Sequence, residues 1–142
     1  MDFPGTEFKE GNRKTVIITS ALETQKGAML FSSSKGLLEL DLKEQKLKKW
    51  SELPQNQIAK GYDMFEDSRG NIWLSGNGFR CIVPKENKEI VLGHGPEERN
   101  LVDNSWNQGI GEDPQGRIWL SSRFGVNVFD YSTMSLTILP CL

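Results

Sequence analysis

Few side chains in this sequence are of types that perform chemistry, and their spacing argues against most of it. There is one histidine, His94, in the run LGHGPEER. A single histidine excludes a two-histidine metal site, and no serine stands in the nucleophile elbow that a Ser-His-Asp set requires. His94 lies between two glycines, in a loop context, whereas the phosphoacceptor histidine of a kinase sits on a helix. Cys81 and Cys141 form neither a CxxC pair nor a metal-ligand spacing. Cys81 falls within an apolar run and reads as a small buried hydrophobe. Carboxylates are paired at Glu66/Asp67 and at Glu97/Glu98. Such pairs act as general acid and base only where they converge across a cleft, and neither spacing requires that. The glycine-rich GNGF lacks the lysine of a phosphate-binding loop. The expectation is a protein without catalysis, metal or cofactor.

Binding chemistry has a better candidate. The segment GHGPEERNLVDNSWNQ, from Gly93 to Gln108, holds His94, Arg99, Asn104, Trp106 and Asn107. An aromatic platform among amide and guanidinium donors suits a sugar ring, which stacks on its apolar face and bonds at its rim. The plainer reading is a connection between elements in which Trp106 begins a core strand.

Charge excludes one class of partner. A formal net charge of −2 leaves no broad basic surface for a nucleic-acid backbone. Lys43, Lys46, Lys48 and Lys49 form a local cluster, a pattern that protects an exposed edge strand. The N-terminal MDFPGTEFKEGNRK has no apolar stretch of the signal-peptide kind, and TVIIT from Thr15 is far too short to span a bilayer. No direct membrane insertion of this segment is expected.

The elements that would carry these residues are repeated. EDSRGNIWLS begins at Glu66 and EDPQGRIWLS at Glu112, with seven of ten positions identical. A worn third copy, ETQKGAMLFS, begins at Glu23, with Thr24 for the aspartate and Leu30 for the tryptophan. The anchoring glycines Gly27, Gly70 and Gly116 are 43 and 46 residues apart, a period typical of propeller blades or solenoids. Each copy continues through a second glycine (Gly36, Gly78, Gly125), a polar turn and a closing apolar run, and each is preceded by another short apolar run. That pattern predicts four short strands per copy, an all-β chain of three four-stranded antiparallel blades. In GNIWLS, alternation sends Ile72 and Leu74 to one face and Trp73 with Ser75 to the other. Apolar groups on both faces require cover on both sides, and Trp73 and Trp119 supply contact area toward adjacent blades. Asp67 and Asp113 precede Gly70 and Gly116 by three residues. There the aspartate accepts N–H bonds from within a turn and the glycine takes the positive φ. A calcium loop is excluded, because no D-x-D-x-D ladder or distal glutamate follows.

With these residues in place, the chain resembles the two-component regulator propeller repeats, whose pattern is approximately E-D-x-x-G-x-[IL]-W-[IL]-G-T-x-x-G-L. EDPQGRIWLSSRFGVNVFD matches it closely, EDSRGNIWLSGNGFRCIV drops one residue, and the Glu23 copy is degenerate. The resemblance implies a piece of the sensor region of a bacterial hybrid two-component system, placed in the periplasm or outside the cell. It implies recognition of a signal, often a glycan fragment, through loops at one end of the propeller. Residues 15–142 divide into blades of about 15–52, 53–95 and 96–142, with residues 1–14 as a tail or the remnant of a preceding segment. Three blades cannot close a ring that needs about four to eight. The incomplete propeller therefore calls for further blades or a second copy of the chain. Competing readings are a protein–protein scaffold and part of a propeller lyase or glycoside hydrolase.

Overall fold

The computed structural model describes residues 16–52, 63–76, 78–92, 107–122 and 125–140. Twelve strands fill these segments in three antiparallel sheets of four, each an up-and-down meander. Blade 1 contains β1 (Ile18–Glu23), β2 (Met29–Ser33), β3 (Gly36–Asp41) and β4 (Lys46–Lys49). Blade 2 contains β5 (Asp63–Glu66), β6 (Ile72–Gly76), β7 (Gly78–Val83) and β8 (Lys88–Leu92). Blade 3 contains β9 (Asn107–Glu112), β10 (Ile118–Ser122), β11 (Gly125–Asp130) and β12 (Ser135–Pro140). The fold is thus all-β, built of three stacked blades that do not close a ring.

The first hairpin of every blade has the same backbone. The glycine N–H donates to the carbonyl three residues earlier: Gly27 to Thr24 at 2.8 Å, Gly70 to Asp67 at 3.0 Å and Gly116 to Asp113 at 2.9 Å. The glycines take φ of +81°, +81° and +77°, values that cost a residue with a Cβ. A Cβ built on Gly70 would meet nothing within 4 Å. The glycine is therefore needed for its dihedral and not for space. The outer hairpins turn through left-handed non-glycine residues instead, at Gln45, Asn87 and Met134. Asp41 and Asp130 anchor two of these, accepting the N–H groups of Lys43 and Ser132 at 3.0 and 2.9 Å. In blade 2 a 3-10 turn over Pro84–Glu86 does the same work.

Packing follows from the strand period of two. Ile72, Leu74 and Ile82 point toward blade 1, where they bury Leu30, Leu37 and Trp50. Trp73, Phe79, Cys81 and Val83 point the other way, onto Ile118, Leu120 and Phe129 of blade 3. The Trp73 and Phe129 rings meet edge to face at 5.4 Å between centroids. Each residue of β6 is buried, because blade 2 is covered on both faces.

Among the described residues the outer blades are each covered on one face. In blade 1, Met29, Phe31, Leu38 and Leu40 are half-buried on the side away from blade 2, and Leu47 beside them is 41% exposed. In blade 3, Trp119 pairs in register with Val128, and Ser121 with Val126, on the side away from blade 2. Leu139, opposite Val126, is 46% exposed there. Trp119 is therefore only half-buried and packs on no neighbouring blade among the described residues, unlike Trp73.

Candidate functional site

The repeated acidic turn is the most highly organised polar structure in the described residues. Asp67 is fully buried, and its carboxylate accepts four hydrogen bonds. Oδ1 takes the backbone N–H groups of Arg69 and Asn71, both at 2.9 Å. Oδ2 takes Asn71 Nδ2 at 3.0 Å and the indole Nε1 of Trp73 at 2.9 Å. A buried carboxylate is tolerated only when its lone pairs are filled in this way. Asp113 repeats the arrangement with Gln115 N (3.0 Å), Arg117 N (2.9 Å), Arg117 Nε (2.7 Å) and Trp119 Nε1 (2.9 Å). The Trp119 indole, followed by the Arg117 bonds, holds the Asp113 carboxyl down to about 2. In blade 1, Thr24 Oγ1 accepts the N–H of Ala28 at 3.0 Å, and the Leu30 side chain has no N–H to offer. Aspartate and tryptophan are thus lost together.

The glutamate of each pair acts elsewhere. Glu66 ends β5, and its Oε2 accepts the backbone N–H of Gln25 in blade 1 at 2.7 Å. Glu112 ends β9 and binds the blade 2 turn twice, through Ser68 N at 2.7 Å and Ser68 Oγ at 2.5 Å. Each glutamate therefore clamps the turn of the blade before it. Sequence reasoning gave a turn role to the aspartates alone, and the glutamate's role escaped it because its partners lie 41 and 44 residues away. Arg69 reinforces the second joint. Its Nη1 donates to the Gly116 carbonyl at 3.0 Å, and its guanidinium lies 4.8 Å from the Tyr131 ring centroid, a cation–π contact.

Reactive groups outside this frame are few. Cys81 is a free thiol, fully buried, and burial pushes its pKa far above the usual thiol range. Such a thiol is a poor nucleophile. Among the described residues no three His, Cys, Asp or Glu side chains gather as metal ligands would. A cleft of about 210 Å³ opens between blades 1 and 2 and includes Lys26, Glu39, Trp50, Glu52 and Glu66 in its lining. Its carboxylates already have partners: Glu39 takes Ser51, Glu52 takes Lys26 and Glu66 takes Gln25.

The sugar-binding candidates His94, Arg99, Asn104 and Trp106 lie outside the described residues. Of Asn107 only the backbone is described, as the first residue of β9. The acidic turns and that segment are accordingly separate features, the first filled by the protein's own groups and the second an expectation from sequence.

Comparison with known proteins agrees with this architecture. Residues 52–78, which include β5, the Asp67 turn and β6, match the two component regulator propeller family. The matched copy is the one that begins at Glu66. Among solved structures, the extracellular domain of the hybrid two component system BT3049 from B. thetaiotaomicron aligns with a TM-score of 0.63. It shares 18% identity, over 87% of this chain and 17% of its own. The extracellular domain of BT4673, also a hybrid two component system of B. thetaiotaomicron, gives a TM-score of 0.63 at 15% identity, over 86% of this chain and 18% of its own. At these identities the likeness is one of fold, and the chain spans less than a fifth of either structure. No curated protein matches the sequence.

Proposed function

We propose that this chain, which carries a two-component regulator propeller repeat, is a non-catalytic segment of the sensor region of a bacterial two-component system. It would act outside the cytoplasmic membrane, as the extracellular domains it resembles in fold do. Among the described residues no helix is long and apolar enough to cross a bilayer.

The observation that carries this reading is how fully the repeat satisfies itself. Asp67, Asp113, Trp73, Glu66 and Glu112 are all engaged within or between blades, which leaves no convergent set of polar groups for a substrate among the described residues. Recognition then falls to the connections between blades, and the longest of these carries Arg99, Asn104, Trp106 and Asn107. An oligosaccharide is the ligand class those residue types fit. Signalling would proceed by a binding-induced change in domain or subunit arrangement, with no chemical step.

A second reading, a protein–protein scaffold, is favoured by the apolar outward faces of blades 1 and 3. Thermal unfolding across a panel of oligosaccharides separates the two. A ligand that binds the native state raises its midpoint by mass action. The sensing reading expects at least one sugar to do so, with the shift removed by Trp106→Ala and by Arg99→Ala while the ligand-free midpoint stays put. A panel that gives no shift sinks glycan sensing and leaves the scaffold.

A further inference from the structure

The glutamate clamp has a direction, and the two ends of the stack are not equivalent under it. At each joint the later blade supplies the carboxylate. The earlier blade supplies the N–H of the residue directly after its Thr24 or Asp67 position: Gln25 to Glu66 and Ser68 to Glu112, both at 2.7 Å. Two questions follow, one at each end.

At the blade 1 end, Glu23 stands where Glu66 and Glu112 stand in the other blades, closing the inner strand opposite Met29. It is exposed, and none of the hydrogen bonds or ion pairs among the described residues involves it. It edges the half-buried apolar face of Met29, Phe31, Leu38 and Leu40. At the blade 3 end, the position matching Gln25 and Ser68 is Pro114. Proline suits this first turn position because its fixed φ matches a type I turn, but it has no N–H. A carboxylate brought against it would be desolvated without a donor in return.

We propose that Glu23 is the docking point for a further propeller blade whose acidic turn keeps a backbone N–H after its first residue, and that Pro114 bars a second copy of this chain from being that blade. Apolar chemistry alone would permit head-to-tail joining of two copies, since the outward faces of blades 1 and 3 are both apolar. The hydrogen bonding discriminates where the apolar surfaces do not. Any blade that follows blade 3 joins it without the glutamate clamp. This proposal concerns assembly and does not depend on what, if anything, the propeller senses.

The probe is the chain itself with the donor restored. Sedimentation equilibrium would compare wild type, Pro114→Ser, Pro114→Ala, Glu23→Ala and the double variant Pro114→Ser/Glu23→Ala. One head-to-tail joint is enough to read, so ring closure is not required. Serine and alanine both supply the N–H, so both single variants should self-associate about tenfold or more tightly than wild type, as expected for a hydrogen bond to a charged group. The double variant should lose the gain that Pro114→Ser shows, and Glu23→Ala alone should associate no more weakly than wild type, because removing the carboxylate removes the cost of desolvating it against a proline. Circular dichroism and urea midpoints verify that each variant is folded, and the two replacements guard against the failure of either. The proposal is overturned if the folded Pro114 variants associate no more tightly than wild type, or if the double variant stays as tight as Pro114→Ser. It is overturned equally if Glu23→Ala weakens association of the wild-type chain, because the carboxylate would then be binding a proline-bearing turn.

Discussion

Asp67 is a buried anion held by four donors, two of them side chains of its own blade. Removing one partner strands the other: Trp73→Leu leaves Oδ2 with Asn71 alone, and Asp67→Thr leaves a buried indole N–H without its acceptor. Blade 1 shows that the position tolerates loss of both, since Thr24 and Leu30 stand there together. The pair should therefore be strongly coupled. Each single change is expected to cost about 2–4 kcal/mol in urea unfolding, through the unpaired buried group and, for Trp73, the lost ring volume. The double variant Asp67→Thr/Trp73→Leu should cost about 1–2 kcal/mol less than the sum of the two. Strict additivity would mean that the indole bond at 2.9 Å contributes nothing. The same bond works differently at Asp113, where the half-buried Trp119 lies on an open face. That is why the two tryptophans, indistinguishable in IWLS, cannot be assigned the same packing role.

At the scale of the element, the hairpin was readable in advance and its connections were not. The glycine after the acidic residue, the apolar alternation of β6 and the period of the copies are local signals, and each has a local physical cause. Gly70 illustrates this: its φ of +81° needs no neighbour to explain it. Gly70→Ala should cost about 1–2 kcal/mol in urea unfolding, the penalty of a left-handed alanine, with no added steric cost because the space is open. Gly70→Asn should recover about half, asparagine being the better left-handed residue. A loss well above that range would mean the turn reorganises. The glutamate clamp was hidden for the opposite reason, because its partner is a backbone N–H almost one repeat away and any residue except proline supplies it. The Asp–Trp bond left a trace, since aspartate and tryptophan occur together in two copies and are absent together from the third. The segment with His94, Arg99 and Trp106 stays an expectation, because sequence places its residue types together without fixing their geometry.

Across the whole molecule, stability should be graded by how many faces of each blade are covered. Blade 2 lies between two apolar clusters, one shared with blade 1 and the other with blade 3. Blades 1 and 3 have one such cluster each and turn an apolar face outward. In a stack of this kind each blade is held by its own hairpins and by nearest-neighbour interfaces, so the middle blade gains from two interfaces and the outer blades from one. Opening of an outer blade breaks one interface; opening of blade 2 breaks both. Amide hydrogen exchange reads this directly, since protection reports the free energy of the smallest opening that frees each N–H. The amides of β6 and β7 should exchange most slowly, at rates set by global unfolding. Those of β2, β3, β10 and β11, also interior to their sheets and equally bonded to strand neighbours, should exchange at least about tenfold faster. That comparison isolates interblade cover from hydrogen bonding, because the four-stranded pattern is the same in all three blades. Equal protection in all three would mean that the outer faces are covered in solution. In that case the covering partner should be removable by dilution, with a drop in the protection of blades 1 and 3 before any change in blade 2.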